Sequence, residues 1–379
     1  MPFQLVDKPE QFDNVMNSLS RSSVWALDLE FDRDRHFYGF TLCLIQIANE
    51  KGEIYLIDPM NGLDLQPLFH LLENDQILKI MHTPGEDIRL LHSLKCFPQN
   101  MFDTEVCAKL LNYPKVSLGS MVERFFDIIL DKNQQTSAWH NRPLSDAQMS
   151  YAASDVRYLI PLYRKLMPLI EASPFKEYVL QEQELLNTEI HILQKKQSFL
   201  KKADIHNFSP LDCHILNGLL TYRDHLAEKR NRSPHFIFPD TAIRDLVHHK
   251  EDISFIFHGK GIPAYMKTGS WRNRWQRKIN QYRLEAEELN LGGQTGTTNN
   301  NGKQDLHKIR YLKDTVFIPI QNEISSIIGE NAIRYVFSTN TINDLLRKNI
   351  LISGLKPVYR QQLVLDAGKK LGKDLSAFI

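Results

Sequence analysis

Two acids stand two residues apart in the apolar run Trp25–Phe31, which reads WALDLEF. On a strand, Asp28 and Glu30 would point to one face. Val24, Ala26, Leu27, Leu29 and Phe31 around them are apolar, so the strand reads as buried on both faces. Two carboxylates on one buried face repel each other and lose hydration. A divalent cation relieves both costs, and hard ions such as Mg²⁺ take carboxylate oxygens. The same spacing also suits a strand end that leaves both acids at the surface.

Further along the chain, His82, Glu86 and Asp87 lie where an apolar strand passes into a helix. A carboxylate in that first turn gains from the helix dipole, which by itself accounts for Glu86 and Asp87. Tyr151 and Asp155 are four apart, hence neighbours on one helical face. Ala152 and Ala153 let that helix approach a neighbour closely. The pair suits a phenol beside a metal-bound carboxylate, or an ordinary core hydrogen bond. Asp103 reads as an N-cap, a structural role.

The elements that must position these groups follow from periodicity. Phe3–Val6 reads as an edge strand, and Lys8–Leu19 as an amphipathic helix with Pro9 in its first turn. After the acidic strand, Asp32–Gly39 reads as a loop. Leu42–Ala48 and Glu53–Ile57 read as strands joined by a turn at Asn49–Gly52. Leu63–Leu72 reads as a helix, Ile77–Met81 as a strand and Gly85–Leu94 as a helix. A helix opens near Phe102 and runs to Leu111, and another opens at Ser145 within Ser145–Leu166. A three-strand meander followed by alternating helix and strand predicts a mixed α/β sheet with helices on both faces.

In order and context, Asp-x-Glu on a strand, His-x4-Asp at a strand–helix junction and Tyr-x3-Asp on a later helix resemble the tyrosine-containing branch of the DEDD exonuclease superfamily. The stretches DLEFD, IMHTPGEDIRLL, FDTEVCAKLLN and SAWHNRPLSDAQMSYAASDVRYL carry the likeness over roughly residues 1–170. Chain length and the region after residue 200 narrow it to the bacterial ribonuclease D family. The resemblance implies a ribonuclease H-like α/β exonuclease domain at 1–195. It also implies two divalent metal ions, Mg²⁺ or Mn²⁺, held by Asp28, Glu30, Asp87 and Asp155. Asp28 would bridge both ions, Glu30 and Asp155 would complete the ion that activates water, and Asp87 would serve the leaving-group ion. Tyr151 would orient the water. His82 lies near the site in that family, as a substrate contact or a structural histidine. Gln46 would bond within the sheet or brace Glu30. Gln135 and Trp139 would meet terminal nucleotides, although a tryptophan there also serves plain packing. The implied activity is 3′→5′ exoribonuclease trimming of tRNA precursors, with RNA bearing a free 3′ end as partner. The same acidic site would also serve DNA, and a non-catalytic RNA-binding role is a further alternative.

The C-terminal half is helical in pattern. Phe238–His248 and Phe337–Leu346 repeat at a spacing of 99 residues, with identical residues at Phe238/Phe337, Ile243/Ile342, Asp245/Asp344 and Leu246/Leu345. Both copies resemble the HRDC domain, an all-α nucleic-acid-binding bundle, at 208–285 and, more weakly, 305–379. The Gly/Asn/Thr-rich stretch between them predicts a flexible linker within 286–304. Residues 195–285 carry 17 Lys/Arg against 9 Asp/Glu, a net +8, while the remainder is −7 and the whole chain +1. A basic module beside an acidic metal site suits a polyanion held by its phosphates. Arg272, Arg274, Arg277 and Lys278, interleaved with Trp271 and Trp275, are its densest cluster, which alternatively forms a solvated helix face. The four cysteines are widely spaced and fit neither a zinc cluster nor a disulfide framework. With no signal pattern and no apolar run of about 20 residues, the expectation is a cytoplasmic, monomeric protein without a membrane span.

Overall fold

A computed structural model describes residues 3–191, 198–249, 253–291 and 301–379. Six strands form one mixed sheet: β1 (Phe3–Val6), β2 (Val24–Arg33), β3 (Phe40–Asn49), β4 (Ile54–Ile57), β5 (Leu78–Met81) and β6 (Met101–Asp103), in the spatial order β1-β4-β3-β2-β5-β6. The meander β2–β3–β4 sits at the centre. β4 pairs antiparallel with β3 and parallel with β1, and β5 pairs parallel with β2 and β6. The predicted strands are present. β6 is additional: Met101–Asp103 is too short to show alternation, and its pairing of Ile80 with Phe102 is what makes it a strand. Asp103 does cap the following helix, accepting from the Glu105 N–H at 2.8 Å.

Eight helices accompany the sheet: α1 (Pro9–Leu19), α2 (Gln66–Leu72), α3 (Gly85–Ser93), α4 (Thr104–Leu110), α5 (Leu118–Phe126), α6 (Asp146–Arg157), α7 (Leu159–Glu171) and α8 (Lys176–Thr188). A full capping box starts α6. The Ser145 Oγ accepts from the Gln148 N–H, and the Gln148 Oε1 accepts from the Ser145 N–H. Ala152, Ala153 and Val156 of α6 are fully buried in a core with Ala26 of β2 and Leu44 of β3. The small side chains bring α6 onto the face of the sheet from which Asp28 and Glu30 project.

Contacts divide the chain into two units that do not follow chain order. One holds residues 3–30, 42–191 and 301–379; the other holds 31–41 with 198–249 and 253–291. In the second unit α9 (Lys202–Asn207), α10 (Pro210–Arg230), α11 (Pro234–Ile237), α12 (Asp240–His248) and α13 (Gly269–Glu288) enclose their own core, in which Phe238 and Trp275 stack at 4.8 Å. A Cβ at Gly218 would stand 2.6 Å from the Tyr282 ring, so only glycine lets α10 and α13 lie this close. In the first unit α14 (Asn301–Leu312), α15 (Ile318–Ile328), α16 (Ile333–Val336), α17 (Thr339–Leu346) and α18 (Val358–Lys370) share one apolar core with α4, α7 and α8. Gly329, at φ +99°, packs where a Cβ would strike the Asn112 amide. That amide accepts from the N–H of Asn331 at 2.8 Å.

The 99-residue repeat recurs in three dimensions. The short helices Pro234–Ile237 and Ile333–Val336 are offset by that spacing, and each is followed by the helix that the repeat predicts. Phe238 and Phe337 are both fully buried. The expected linker is shorter than 286–304, because α13 runs to Glu288 and α14 starts at Asn301; residues 292–300 within it, and residues 192–197, lie outside the described residues. Among the described residues, no helix is long and apolar enough to cross a membrane.

Candidate active site

Carboxylate oxygens of Asp28, Glu30 and Asp155 lie within 4.8 Å of one another. Strand alternation aims the first two from β2, and α6, drawn in by its alanines, brings the third. Asp87, in the first turn of α3, is not one of those three, but its charge acts on both Asp28 and Glu30. Three of the predicted acids therefore cluster across 127 positions of sequence, with the fourth near enough to repel two of them.

Their electrostatics are uncompensated. Burial raises the Asp28 carboxyl well above the usual carboxylate range, and Asp87, Asp155 and Glu30 raise it further; only the Leu29 N–H opposes them. Burial, with Asp155 and Asp87, pushes Glu30 up to about 9. Burial likewise lifts Asp87 and Asp155 to about 7. Among the described residues, no arginine or lysine offsets these charges. By contrast, buried Asp58, Glu182 and Asp204 each pair with an arginine: Arg142, Arg360 and Arg244. An all-oxygen donor set with this much unbalanced charge fits divalent cations of the hard class. The four acids thus form a candidate metal-binding set.

Tyr151 sits one helical turn before Asp155 and donates its phenol to that carboxylate. Burial and the charges of Asp155 and Glu30 raise the phenol above its ordinary value, so it stays protonated at neutral pH. Trp139 corrects an expectation. It is only 4% exposed, and its ring packs 5.9 Å from Tyr151. The indole braces the tyrosine and presents no free face for a base.

The Trp139 loop is itself clamped. Arg142 makes a bidentate pair with Asp58 at 2.5 and 2.7 Å and donates to the carbonyls of Trp139 and Cys43 at 2.7 and 2.6 Å. Gln148 Nε2 also holds the Ser137 hydroxyl at 2.8 Å. Sequence reasoning passed over Arg142 and Asp58, because a pair 84 residues apart leaves no local signal. The Ser145-x-x-Gln148 spacing, also passed over, is the signal that could have found the capping box.

The other sequence candidates are placed as follows. The His82 Nδ1 lies 2.9 Å from the Thr104 hydroxyl, and burial pushes the imidazole down to about 4, so it is neutral. Its neighbours are Thr104, Glu105, Lys109 and Val116, on the side of α4, and it does not join the four acids. Gln46 is fully buried on the face of the sheet that carries Leu44 and Ala48. It makes neither expected bond: both amide atoms lack a partner among the described residues. Gln135 is exposed in the loop before α6. Arg272, Arg274 and Arg277 are exposed along α13 and Lys278 is half-buried there. Trp275 between them belongs to the core, and Trp271 lies beneath the guanidinium groups of Arg230 and Arg274 at 5.1 and 4.6 Å.

A mixed sheet carrying this acidic set defines a nuclease of the 3′–5′ exonuclease class, and the profile of the 3′-5′ exonuclease family matches residues 3–171. The chain is 33% identical to ribonuclease D of Zymomonas mobilis over 286 residues, which span 72% of this chain and 69% of that protein. It is 32% identical to ribonuclease D of Haemophilus influenzae over 240 residues, spanning 62% of this chain and 60% of that one. The chain belongs to the ribonuclease D family of 3′→5′ exoribonucleases. Its fold superposes on that of Escherichia coli RNase D with a TM-score of 0.73, covering 98% of this chain and 99% of that one at 21% identity.

Proposed function

We propose that this protein trims the 3′ ends of RNA, tRNA precursors among them, releasing nucleoside 5′-monophosphates by hydrolysis that depends on two divalent metal ions. The observation that supports it best is the cluster of half-buried Asp28, Glu30 and Asp155, with buried Asp87 acting on two of them, without a cationic partner among the described residues and with a protonated phenol beside Asp155. Asp28, which feels the other three, would be the shared ligand of both ions. Glu30 and Asp155 would complete one, and Asp87 the other. Such a pair of Mg²⁺ or Mn²⁺ ions, when bound, neutralises phosphate charge and lowers the pKa of water.

The chain's own residues do the rest. Tyr151 holds its proton, so it acts as a hydrogen-bond donor that orients the attacking water beside Asp155 and does not take the proton itself. Trp139, fixed by Arg142 and Asp58, keeps that ring in place. Arg272, Arg274, Arg277 and Lys278 meet phosphates of the RNA body by charge, with little reading of sequence. Gln135, exposed ahead of α6, would meet the 3′ end. The repeated helical pattern supports reading 208–285 and 305–379 as two HRDC-type modules after a nuclease domain at 1–195.

Digestion of a tRNA carrying a 3′ extension tests this reading. With Mg²⁺ or Mn²⁺, stepwise shortening and nucleoside 5′-monophosphates are expected, and EDTA should stop both. Absence of release with either ion would overturn the catalytic reading. Equal rates on a matched DNA strand would overturn the RNA assignment.

A further inference from the structure

A cavity of about 410 Å³ lies between the junction of α6 with α7 and the turn that joins β3 to β4. Small-molecule sites have this order of size. Every residue around it belongs to the nuclease unit, and none of the four acids lines it. One wall is helical. Tyr158, between the two helices, keeps helical backbone angles at φ −101° and ψ −4°, so helical spacing carries across the junction. Arg157, Ile160, Pro161 and Arg164 stand at i, i+3, i+4 and i+7 of that run, which is one face. All four line the cavity. Ile160 is buried, Arg157 half-buried and Arg164 exposed. Tyr158 lines it too, and its ring is backed by Phe126 at 5.9 Å.

The other wall is the turn and the strand ends that flank it. Ala48 and Ile54 are buried and apolar. Asn49 stiffens the turn: its Oδ1 accepts from the N–H groups of Lys51 and Glu53 at 3.0 and 3.1 Å, and its Nδ2 donates to Glu53 at 2.6 Å. Gly52, at φ +82°, closes the turn by donating its N–H to the Asn49 carbonyl at 2.9 Å. Glu50, which also lines the cavity, accepts from the Ser23 hydroxyl at 3.2 Å through Oε2. A carboxylate has further acceptor positions beyond that one.

The lining residues sort into three chemistries. Ala48, Ile54, Ile160 and Pro161, with the Tyr158 ring, suit a flat aromatic base. Two guanidinium groups suit a phosphate, which arginine takes through paired N–H donors. One carboxylate suits sugar hydroxyls, and two cations against one anion favour a ligand of net negative charge. We propose that this cavity binds a free ribonucleoside 5′-monophosphate at a site separate from the catalytic acids. Its phosphate lies on Arg157 and Arg164, its base on the apolar wall and its ribose on Glu50. The choice of this nucleotide among small aromatic phosphates rests on the nuclease reading given above, whose product it is.

Calorimetric titration of the full chain with AMP, in EDTA, tests this. One saturating site is expected. AMP should bind more tightly than adenosine or inorganic phosphate, since each lacks part of the contacts. Arg164→Glu reverses an exposed charge, so it should leave the melting temperature in place. It should weaken AMP by ~10-fold, the worth of one hydrogen bond to a charged group. Asp28→Ala should leave AMP affinity unchanged. No saturable AMP binding, or AMP affinity that Arg164→Glu does not change, overturns the inference. So does loss of AMP binding in Asp28→Ala, which would put the nucleotide at the acids. Phosphate binding as tightly as AMP would leave an anion site and overturn the nucleotide assignment. A 5′-phosphorylated RNA oligonucleotide competing on equal terms would make the ligand an RNA end and overturn it equally. AMP binding by a protein without turnover on RNA would count against the nuclease reading alone. Turnover without AMP binding would count against this inference alone.

Discussion

Two acid sites in the nuclease unit have opposite designs. Glu182 of α8 is 6% exposed. It accepts from the hydroxyls of Tyr335 and Tyr359 at 2.7 and 2.6 Å and from Arg360 Nε and Nη2 at 3.0 and 2.7 Å. Tyr178 of the same helix stacks on Tyr359 at 4.2 Å. Every donor comes from the C-terminal helices, so this site is closed: its charge is satisfied by the chain and it ties α8 to α16 and α18. Among the described residues, Asp28, Glu30, Asp87 and Asp155 have no such donors beyond a phenol and their own backbone. A carboxylate balanced by its own protein has no need of a guest, whereas four left unbalanced make a site that costs stability until a cation arrives.

The contrast can be broken most strongly at the open site. Asp28→Ala or Asp155→Ala should abolish hydrolysis, well beyond the ~10–100-fold that loss of an outer partner of a metal ligand costs. RNA binding should survive, and melting of the metal-free protein should hold or rise because a repelling charge is gone. Gel-based cleavage, RNA titration and thermal melts check these together. Full activity in either variant would remove the site assignment.

At the closed site the same class of substitution should act the other way round. Glu182→Ala leaves the Arg360 guanidinium without its counter-charge and should cost ~3 kcal/mol of stability. Urea unfolding would measure it, and turnover per folded molecule should be retained. A stable Glu182→Ala protein would mean that the apolar core alone docks the C-terminal helices.

The smallest effect sharpens the comparison through pH. The open-site acids have folded values raised above those of the unfolded chain, with Glu30 at about 9 and Asp87 and Asp155 at about 7. The folded state therefore binds more protons. Their contribution is complete below about pH 4, the ordinary carboxyl value, and is lost as pH rises towards 9. Metal-free protein should melt at progressively lower temperature from pH 5 to 9, Mg²⁺ should restore it, and Asp28→Asn should flatten the slope. A metal-free melt that rises with pH over that interval would contradict the uncompensated site.

What could be read before any coordinates was what lies close along the chain. The pair Asp28/Glu30 follows from the two-residue period of a strand, and Tyr151/Asp155 from the turn of a helix. Trp139 was open to two readings from sequence, because burial depends on what folds over a residue. Gln46 had a plausible partner in Glu30, but no local rule says whether an amide in mid-strand reaches it.

The helical repeat shows where local information ends. Phe238/Phe337, Ile243/Ile342 and Leu246/Leu345 specify the same helix twice, and all six side chains are fully buried. Periodicity and apolar identity therefore determined that both copies form and which face each turns inward. What each copy packs against was settled only in three dimensions. The first encloses its own core, while the second shares the core of the nuclease through Gly329 on Asn112 and through Tyr335, Tyr359 and Arg360 on Glu182. Those partners lie about 150 to 220 positions away in sequence, and only closure of the whole chain brings them within the reach of a hydrogen bond.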